Sequence, residues 1–169
     1  MNENDLSKII VDTAFKIYKK LGPGLLESVY EGIFAYELRQ KELLVETQVT
    51  IPVLWDNIKF DQGYRADIIV NKKVLIELKS IEKLMPVHAK QVRTYLRLTD
   101  LKLGMLINFN ENQLTDGIKR VVNGLKVNLK KLRLCSFAGN RMNFISILAR
   151  PTLPTRLEFS SFALLLPPF

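Results

Sequence analysis

The sequence is poor in the residues that build disulfide frameworks and zinc sites. Its 169 residues include one cysteine, Cys135, and one histidine, His88. A lone cysteine cannot close an internal disulfide, and a structural zinc needs several Cys or His ligands. The sequence also lacks a run of about 18 apolar residues, the length that a membrane-spanning helix needs, and charged residues interrupt its first helical pattern. We therefore expect a cytoplasmic protein with no membrane span and no secretory signal, in which carboxylates would hold any metal.

The positive charge lies mostly at the C-terminal end of the chain. Residues 1–125 carry 18 Lys and Arg against 16 Asp and Glu, a net charge of +2, whereas residues 126–169 carry seven against one, a net charge of +6. Four of the seven prolines also lie beyond residue 125. Since a domain has roughly 100–200 residues, we expect one domain over 1–125 and a basic, poorly ordered extension over 126–169. The sequence leaves open whether this extension is a docking peptide or an unrelated C-terminus from an altered reading frame.

The spacing of apolar residues changes several times along residues 1–125. Intervals of three and four predict helices, whereas β-branched, alternating or continuous apolar runs predict strands. The predicted elements are helices over 6–21 and 25–40, strands over 45–55, 58–70 and 74–78, a helix over 87–99, a strand over 103–109, and a closing helix over 115–125. This order predicts an α/β protein with a mixed sheet and helices packed against it.

The loop between the second and third strands decides which side chains share a face. A three-residue loop pairs Val70 with Val74 and places Asp67 opposite Glu77, whereas a two-residue loop would mix polar and apolar residues on both faces. Burial therefore favours the three-residue loop. One face then carries only apolar residues: Ala66, Ile68, Val70, Val74, Ile76 and Leu78. The other face carries Arg65, Asp67, Glu77 and Lys79.

This polar face has the composition of a metal site. Carboxylates on adjacent strands, with Cβ atoms about 5 Å apart, repel each other unless a positive charge lies between them, and Mg²⁺ is held by one or two carboxylates. Lys79 can orient water or stabilise charge on a phosphate, as phosphodiester hydrolysis requires. The alternative is a solvated ion-pair face. The third strand is too apolar for an outer strand, which makes a buried Glu77 costly and favours function.

Two motifs together carry a resemblance to a known family. Asp67 and Glu77-Leu-Lys79, within an α-β-β-β-α-β order, resemble the PD-(D/E)XK nuclease superfamily. The segment Gly24-Leu-Leu-Glu27-Ser-Val-Tyr30 is similar to the signature of the GxxExxY family. The resemblance covers approximately residues 5–125 and implies a restriction-endonuclease-like fold with an αβββαβ core and a mixed central sheet flanked by helices. Ala66 stands where some members have the proline of a Pro-Asp pair.

The resemblance also implies roles for individual residues. Glu27 would join Asp67 and Glu77 at a Mg²⁺ or Mn²⁺ site, and Lys79 would act on the attacking water and the transition state. Gly24 and Tyr30 complete the motif around Glu27, although Tyr30 also suits the core of a helix.

The helix predicted over 87–99 carries a polar stripe formed by His88, Gln91 and Tyr95. Gln91-x-x-x-Tyr95 is similar to the Gln-x-x-x-Tyr motif of RecB-like nucleases, which implies a place beside the metal site where Gln91 helps to hold the site or the substrate. The alternative is that Tyr95 is a core residue and His88 is a helix cap or a buried hydrogen-bonding residue. The residues expected to contact substrate are Arg65, His88, Lys90, Arg93 and Tyr95.

These observations predict a metal-dependent nuclease that hydrolyses phosphodiester bonds of nucleic acid, with DNA as the expected partner. The rival interpretation is a non-catalytic nucleic-acid-binding or scaffolding module that retains the nuclease fold. The net charge of only +2 over residues 1–125 favours the rival, because a DNA groove is usually more basic. The presence of Asp67, Glu77 and Lys79 favours the enzyme.

Overall fold

The computed structural model describes residues 1–56 and 58–125, without the side chains of residues 61 and 62. The predicted extension over 126–169 lies outside these residues. The helices are α1 (Glu3–Leu21), α2 (Glu27–Arg39), α3 (Pro86–Thr99) and α4 (Leu114–Gly117). The strands are β1 (Val45–Trp55), β2 (Ile58–Val70), β3 (Val74–Lys79), β4 (Leu103–Asn108) and β5 (Ile118–Val122). None of the described helices is long and apolar enough to cross a membrane.

In the described part of the chain, five strands form one sheet in the order β1-β2-β3-β4-β5. β3 and β4 are parallel, and the other neighbouring strands are antiparallel. A parallel pair needs a long crossover connection, and α3 lies in the connection between β3 and β4. The predicted α/β class and the αβββαβ core with its mixed sheet are confirmed.

α1 begins three residues earlier than its apolar pattern because a polar side chain caps it. The backbone N–H of Asp5 donates to the Asn2 side chain at 2.9 Å, which satisfies one of the unpaired donors at the helix start. At the other end, the chain turns at Gly22, whose φ of 68° suits glycine. Capping and the glycine turn together fix the length of this helix.

The predicted closing helix over 115–125 is wrong. Only Leu114–Gly117 is helical, and Ile118–Val122 forms β5, which pairs with β4 from Leu103 to Ile107. The open edge of β4 supplies backbone partners that a helix would leave unused, and the β-branched Ile118 and Val121 favour a strand. Gly117 permits the tight turn, because a Cβ at this position would lie 2.4 Å from the carbonyl oxygen of Asn108.

Two hydrophobic clusters among the described residues cover the two faces of the sheet. The first cluster joins α1 and α2 to the sheet. Its members include Leu6, Ile10, Tyr30, Phe34, Ile68, Ile76 and Phe109. The second cluster joins α3 to the opposite face. Its members include Ile51, Ile69, Leu75, Val92, Leu96 and Leu106. β3 therefore contributes to both clusters and lies in the middle layer of the fold.

The register of the β2–β3 hairpin is the predicted one. Val70 pairs with Val74, and the ladder ends at Ile68 and Ile76, so Asp67 and Glu77 are the first residues beyond it.

The predicted position of Ala66 on the same face as Ile68 is wrong, because Ala66 packs in the second cluster. Gln48 of β1 lies between the partners of these two residues and has a left-handed backbone, with a φ of 53°. A left-handed residue breaks the regular alternation of a strand. The break in β1 thus accounts for the change of face in β2.

We expect Gly104→Ala to destabilise the fold and Gly32→Ala to stabilise it. A methyl group on Gly104 in β4 would lie 2.5 Å from Cγ1 of Val92 in α3, and overpacking of this kind costs about 1–3 kcal/mol. Gly32 lies within α2 with nothing within 4 Å of its added methyl group, so Ala should add about 1 kcal/mol through helix propensity. Urea unfolding measures both changes. Equal effects of the two substitutions would contradict the packing described between β4 and α3.

Candidate active site

The candidate site lies where β2 and β3 separate. Beyond the last pair of the ladder, the backbone N–H of Leu78 donates to Oδ2 of Asp67 at 2.8 Å. A carboxylate thus takes the place of a backbone acceptor from the neighbouring strand. This bond fixes the Asp67 side chain beside β3, next to Glu77.

Glu77 is a buried carboxylate in the middle layer of the fold, and its side chain is only 3% exposed. Its Oε1 accepts from Nζ of Lys79 at 2.8 Å and from Nε2 of Gln91 at 3.2 Å. Its Oε2 is buried and has no hydrogen-bond partner among the described residues. A buried oxygen without a partner is costly for an ionised carboxylate. The site therefore favours either a proton or a bound cation at this oxygen.

The pKa shifts of Glu77, Asp67 and Lys79 agree with this geometry. Burial raises the pKa of Glu77 to about 7, the charge of Asp67 adds to the increase, and the hydrogen bond from Lys79 opposes it. Burial also raises the pKa of Asp67, against the lowering effect of the bond from Leu78. Burial lowers the pKa of Lys79, but the hydrogen bond and charge of Glu77 outweigh it and leave the pKa above the usual value. The site thus has an excess of negative charge that one lysine does not balance.

α3 contributes a hydrogen-bonded pair to the same site. Gln91 donates to Glu77 and also to the hydroxyl oxygen of Tyr95, one turn further along the helix. Tyr95 is largely buried, and burial raises the pKa of its hydroxyl. The ring of Tyr64 in β2 lies against the Tyr95 ring, with centroids 5.2 Å apart. These contacts hold the Gln91 amide against the acidic oxygen.

Glu27, the first residue of α2, reaches the same edge of the sheet. Its Oε1 accepts from the backbone N–H of Ser80 at 3.0 Å, and the Ser80 hydroxyl donates to the Leu25 carbonyl oxygen at 2.6 Å. Ser80 directly follows Lys79 in the chain. Two hydrogen bonds therefore tie the start of α2 to the end of β3.

The other two residues of the Gly24–Tyr30 motif shape the turn before α2. Gly24 has a φ of 106°, a backbone conformation that favours glycine. The Tyr30 hydroxyl donates to the carbonyl oxygen of Gly22 at 2.6 Å and accepts from the N–H of Leu25 at 3.3 Å. Its ring stacks on Phe109, with centroids 4.3 Å apart. Tyr30 is thus a core residue that also anchors the turn from which Glu27 extends.

Sequence reasoning missed Glu31 and Gln48 at this site. The Gln48 amide donates to Oε2 of Glu31 at 2.6 Å. Both residues line a cleft of about 650 Å³ together with Glu27, Asp67 and Ser80. Glu31 lies one helical turn after Glu27, a spacing that could have identified it. No local pattern identifies Gln48, because its position depends on the pairing of β1 with β2.

Asn108, at the end of β4, was also missed. It is fully buried, and its side chain accepts from the N–H of Ile81 at 3.0 Å and donates to the carbonyl oxygen of Ile81 at 2.8 Å. These two bonds hold the chain that follows Lys79 and Ser80. The sequence contains no signal for this contact, since its partners lie 27 residues apart.

The remaining predicted residues make none of the described hydrogen bonds to the carboxylates. Arg65, Lys90 and Arg93 are exposed, and none of the described hydrogen bonds joins them to Asp67 or Glu77. His88 lies at the start of α3, where its Nδ1 accepts from the backbone N–H of Met85 at 3.0 Å. This bond corresponds to the helix-cap alternative for His88.

The donor set suits a small, oxygen-coordinated cation held by few protein ligands. Within residues 1–56 and 58–125, no three Asp, Glu, His or Cys side chains converge closely enough to hold a metal by themselves. Mg²⁺, however, is usually bound through one or two carboxylates, with water and substrate phosphates completing its shell. Asp67 and the unpartnered Oε2 of Glu77 meet that requirement. Glu27 lines the same cleft but bonds to Ser80 instead of converging with them.

One protein-family model matches this chain over more than half of its length. A sequence model of the PD-(D/E)XK nuclease superfamily matches residues 4–121, which include every element described above except part of β5 and the first residue of α1. Members of this superfamily are typically nucleases and generally use divalent metals such as Mg²⁺. Comparisons with curated proteins and with solved structures gave no match.

We expect the stability of the metal-free protein to fall as the pH rises from 5 to 8. The pKa of Glu77 is about 7 in the fold against an ordinary value of 4.5, so the folded state binds more protons than the unfolded state over this range. The contribution of Glu77 to the free energy of unfolding is therefore greatest below its ordinary pKa of 4.5. This contribution falls by up to about 3 kcal/mol as the pH rises through the pKa that Glu77 has in the folded protein.

Urea unfolding in EDTA at pH 5 and pH 8 measures this dependence. Glu77→Gln should lose most of it and should be more stable than the wild type at pH 8, since the amide does not ionise. Glu82→Gln, at an exposed position five residues later, is the matched control and should keep the wild-type dependence. If Glu77→Gln shows the same loss of stability with pH as the wild type, Glu77 does not titrate as described.

Proposed function

We propose that this chain, which belongs to the PD-(D/E)XK nuclease superfamily, is a metal-dependent nuclease that hydrolyses phosphodiester bonds of DNA. Glu77 is the observation that supports this proposal most directly. It is a buried carboxylate beside Asp67, bonded to Lys79 and Gln91 through one oxygen, with its other oxygen unpartnered among the described residues. A buried acid of this kind is costly to the fold and is typical of functional sites.

Asp67 and Glu77 would hold the proposed Mg²⁺ or Mn²⁺, and Glu27, which lines the same cleft as Asp67, would support it. When bound, such a cation lowers the pKa of a water molecule and stabilises negative charge on a phosphate. The bond from the Leu78 N–H orients Asp67, and the bonds from Lys79 and Gln91 orient Glu77. These contacts position both carboxylates before any ligand arrives.

Lys79 would provide the positive charge that acts on the reacting phosphate. Its raised pKa keeps the ammonium group protonated at neutral pH, and its Nζ lies beside Oε1 of Glu77 at the edge of the site. A fixed cation in a partly buried position stabilises developing negative charge more strongly than a solvated one. Gln91 is a positioning residue in this scheme, since it contacts Glu77 and Tyr95.

We further assign the chain to the GxxExxY family within the superfamily, on the motif Gly24, Glu27 and Tyr30. Two structural observations support this part of the proposal. Gly24 and Tyr30 shape and anchor the turn, and Glu27 extends from that turn to Ser80 beside the catalytic lysine. The motif would therefore position Glu27 as a third carboxylate at the cleft.

Exposed basic residues would gather the substrate phosphates. Arg65 lies two residues before Asp67, and Lys90 and Arg93 flank Gln91 on α3. His88 and Tyr95 complete the proposed substrate contacts. The basic extension over 126–169 would add affinity through its net charge of +6. The low cysteine content supports a cytoplasmic location, where disulfides are rare.

A non-catalytic binding module is the second candidate function. The net charge of +2 over residues 1–125 favours it, because nucleic-acid grooves are usually strongly basic. Single- and double-stranded DNA and RNA, each incubated with Mg²⁺, Mn²⁺ or EDTA, separate the two functions. The nuclease proposal expects cleavage of DNA with metal and none with EDTA. Binding without cleavage under every condition would support the module.

We expect Asp67→Asn, Glu77→Gln and Lys79→Ala each to reduce the cleavage rate by about 100-fold or more. Each substitution removes a group from the proposed chemistry while leaving the side-chain volume or the fold nearly unchanged. Lys83→Ala and Glu82→Gln, at exposed positions shortly after the site, are the matched controls and should retain wild-type rates. Cleavage is measured at saturating metal and substrate, with circular dichroism to verify folding. A near-wild-type rate in any of the three variants removes that residue from the site.

We expect Mg²⁺ or Mn²⁺ to raise the melting temperature of the wild type by several degrees. A ligand that binds only the folded state stabilises it by mass action. Asp67→Asn should abolish the increase, and Glu27→Gln should reduce it. Thermal unfolding with metal and with EDTA gives both values, and Asp12→Asn, on the exposed side of α1, is the control. An unchanged increase in Glu27→Gln would show that Glu27 has no part in metal binding.

A further inference from the structure

β1 and β2 extend well beyond the strand that neighbours them in the sheet. β3 pairs with β2 only between Ile68 and Val70, whereas β1 and β2 continue to pair as far as Trp55 and Ile58. Residues 49–56 and 58–66 therefore form a two-stranded arm. The base of this arm packs against α3, since Ile51 is buried in the second cluster.

The arm carries most of the exposed aromatic surface of the described residues. Trp55 is 69% exposed, Phe60 45% and Tyr64 42%. The fourth strongly exposed aromatic residue in this part of the chain is Tyr36 on α2, at 59%. Burial of an aromatic side chain away from water is favourable, and an exposed apolar patch usually marks an interaction site. The concentration of three rings on one hairpin therefore points to a partner.

The three rings lie along one stretch of the ladder between β1 and β2. Ile51 pairs with Tyr64, Val53 with Phe60, and Trp55 with Ile58. Partners in an antiparallel pair share a face, and so do alternate residues along one strand. Trp55 and Phe60 therefore share one face of the outer part of the arm, and Tyr64, which contacts Tyr95, lies on the face that meets α3. The register shifts between Ile51 and Val53, so the three rings form an exposed surface that spans this shift. We call this surface, formed by Trp55, Phe60 and Tyr64, the aromatic face of the arm.

The aromatic face begins at the candidate active site. The Tyr64 ring lies against Tyr95, the Tyr95 hydroxyl accepts from Gln91, and Gln91 donates to Glu77. Beyond Tyr64 the arm carries Phe60 and then Trp55 toward its tip. A substrate chain whose phosphate occupied the cleft would thus have neighbouring nucleotides within reach of the rings.

We propose that the aromatic face binds unpaired bases of the DNA substrate by stacking. The proposal rests on the proposed function and narrows its substrate class to DNA with a single-stranded segment. Only unpaired bases can offer their flat faces to the rings, and stacking of this kind is independent of sequence. The arm has no net charge, with two acidic residues, Asp56 and Asp61, and two basic residues, Lys59 and Arg65. It therefore offers apolar contact instead of the strong positive charge that duplex backbones require.

Trp55 makes the proposal directly measurable, because it is the only tryptophan in the sequence. We expect a single-stranded thymidine oligonucleotide of about 12 nucleotides to quench its fluorescence in EDTA, where no cleavage occurs. The same oligonucleotide paired with its complement should quench weakly. Raising the salt concentration should reduce this quenching less than it reduces duplex binding, since stacking releases few counterions.

Variants of the arm test the contribution of the rings to affinity. Trp55→Ala and Phe60→Ala should each weaken binding of a labelled single-stranded oligonucleotide by roughly tenfold, measured by fluorescence anisotropy. Trp55→Phe keeps a ring and should restore most of the affinity. Tyr36→Ala removes an equally exposed aromatic ring from α2 and should leave binding unchanged. Circular dichroism verifies that each variant folds.

Two results would overturn the proposal without affecting the proposed function. One is cleavage of DNA by the wild type with no quenching of Trp55 and no loss of affinity in the arm variants. The other is a dimer, detected by light scattering, that Trp55→Ala dissociates without changing oligonucleotide affinity, because the aromatic face would then bind a second copy. Quenching and weakened variants in a protein that cleaves nothing would instead support the aromatic face and contradict the nuclease proposal.

Discussion

The burial of Glu77 is the constraint on which the rest of the site depends. β3 lies in the middle of the sheet, and its other residues pack into the clusters on both faces. A carboxylate in such a strand needs partners close by, and the fold supplies them through Lys79 on the same strand and Gln91 on α3. One oxygen is thereby satisfied, while the other has no partner among the described residues. The raised pKa of Glu77 and the proposed cation are two consequences of this one burial.

Hydrogen bonds from α2 and from the end of β4 hold the residues that follow Lys79. The turn before α2 is anchored by the Tyr30 hydroxyl, and Glu27 extends from this turn to the N–H of Ser80. On the other side, Asn108 at the end of β4 holds Ile81 through two hydrogen bonds. The residues after Lys79 are therefore held from α2 and from β4, so that the lysine stays beside Glu77. Tyr30, which packs in the first cluster, thus also anchors the turn that leads to the cleft.

The distribution of charge and aromatic surface bears on how the protein would hold nucleic acid. Residues 1–125 have a net charge of only +2, which is low for a protein that binds duplex DNA through phosphates alone. The exposed rings of the arm offer an additional source of affinity, since any base can stack on an aromatic ring. A bound cation would offset the negative charge of a cleft lined by Glu27, Glu31 and Asp67. Metal binding and base stacking would together compensate for the modest charge of the domain.

The sequence by itself determined the elements and contacts that depend on neighbouring residues. Apolar periodicity predicted most helices and strands, and the burial of one apolar face of the hairpin predicted the three-residue loop that places Asp67 beside Glu77. The tertiary structure alone decided the contacts that depend on distant pairing. Ile118–Val122 forms a strand because the edge of β4 is free to pair, and Ala66 changes face because Gln48 interrupts β1. Gln48 and Asn108 reach their partners only because distant strands pair. Sequence periodicity reports the spacing of residues within one helix or strand, but it does not show which distant segments become neighbours.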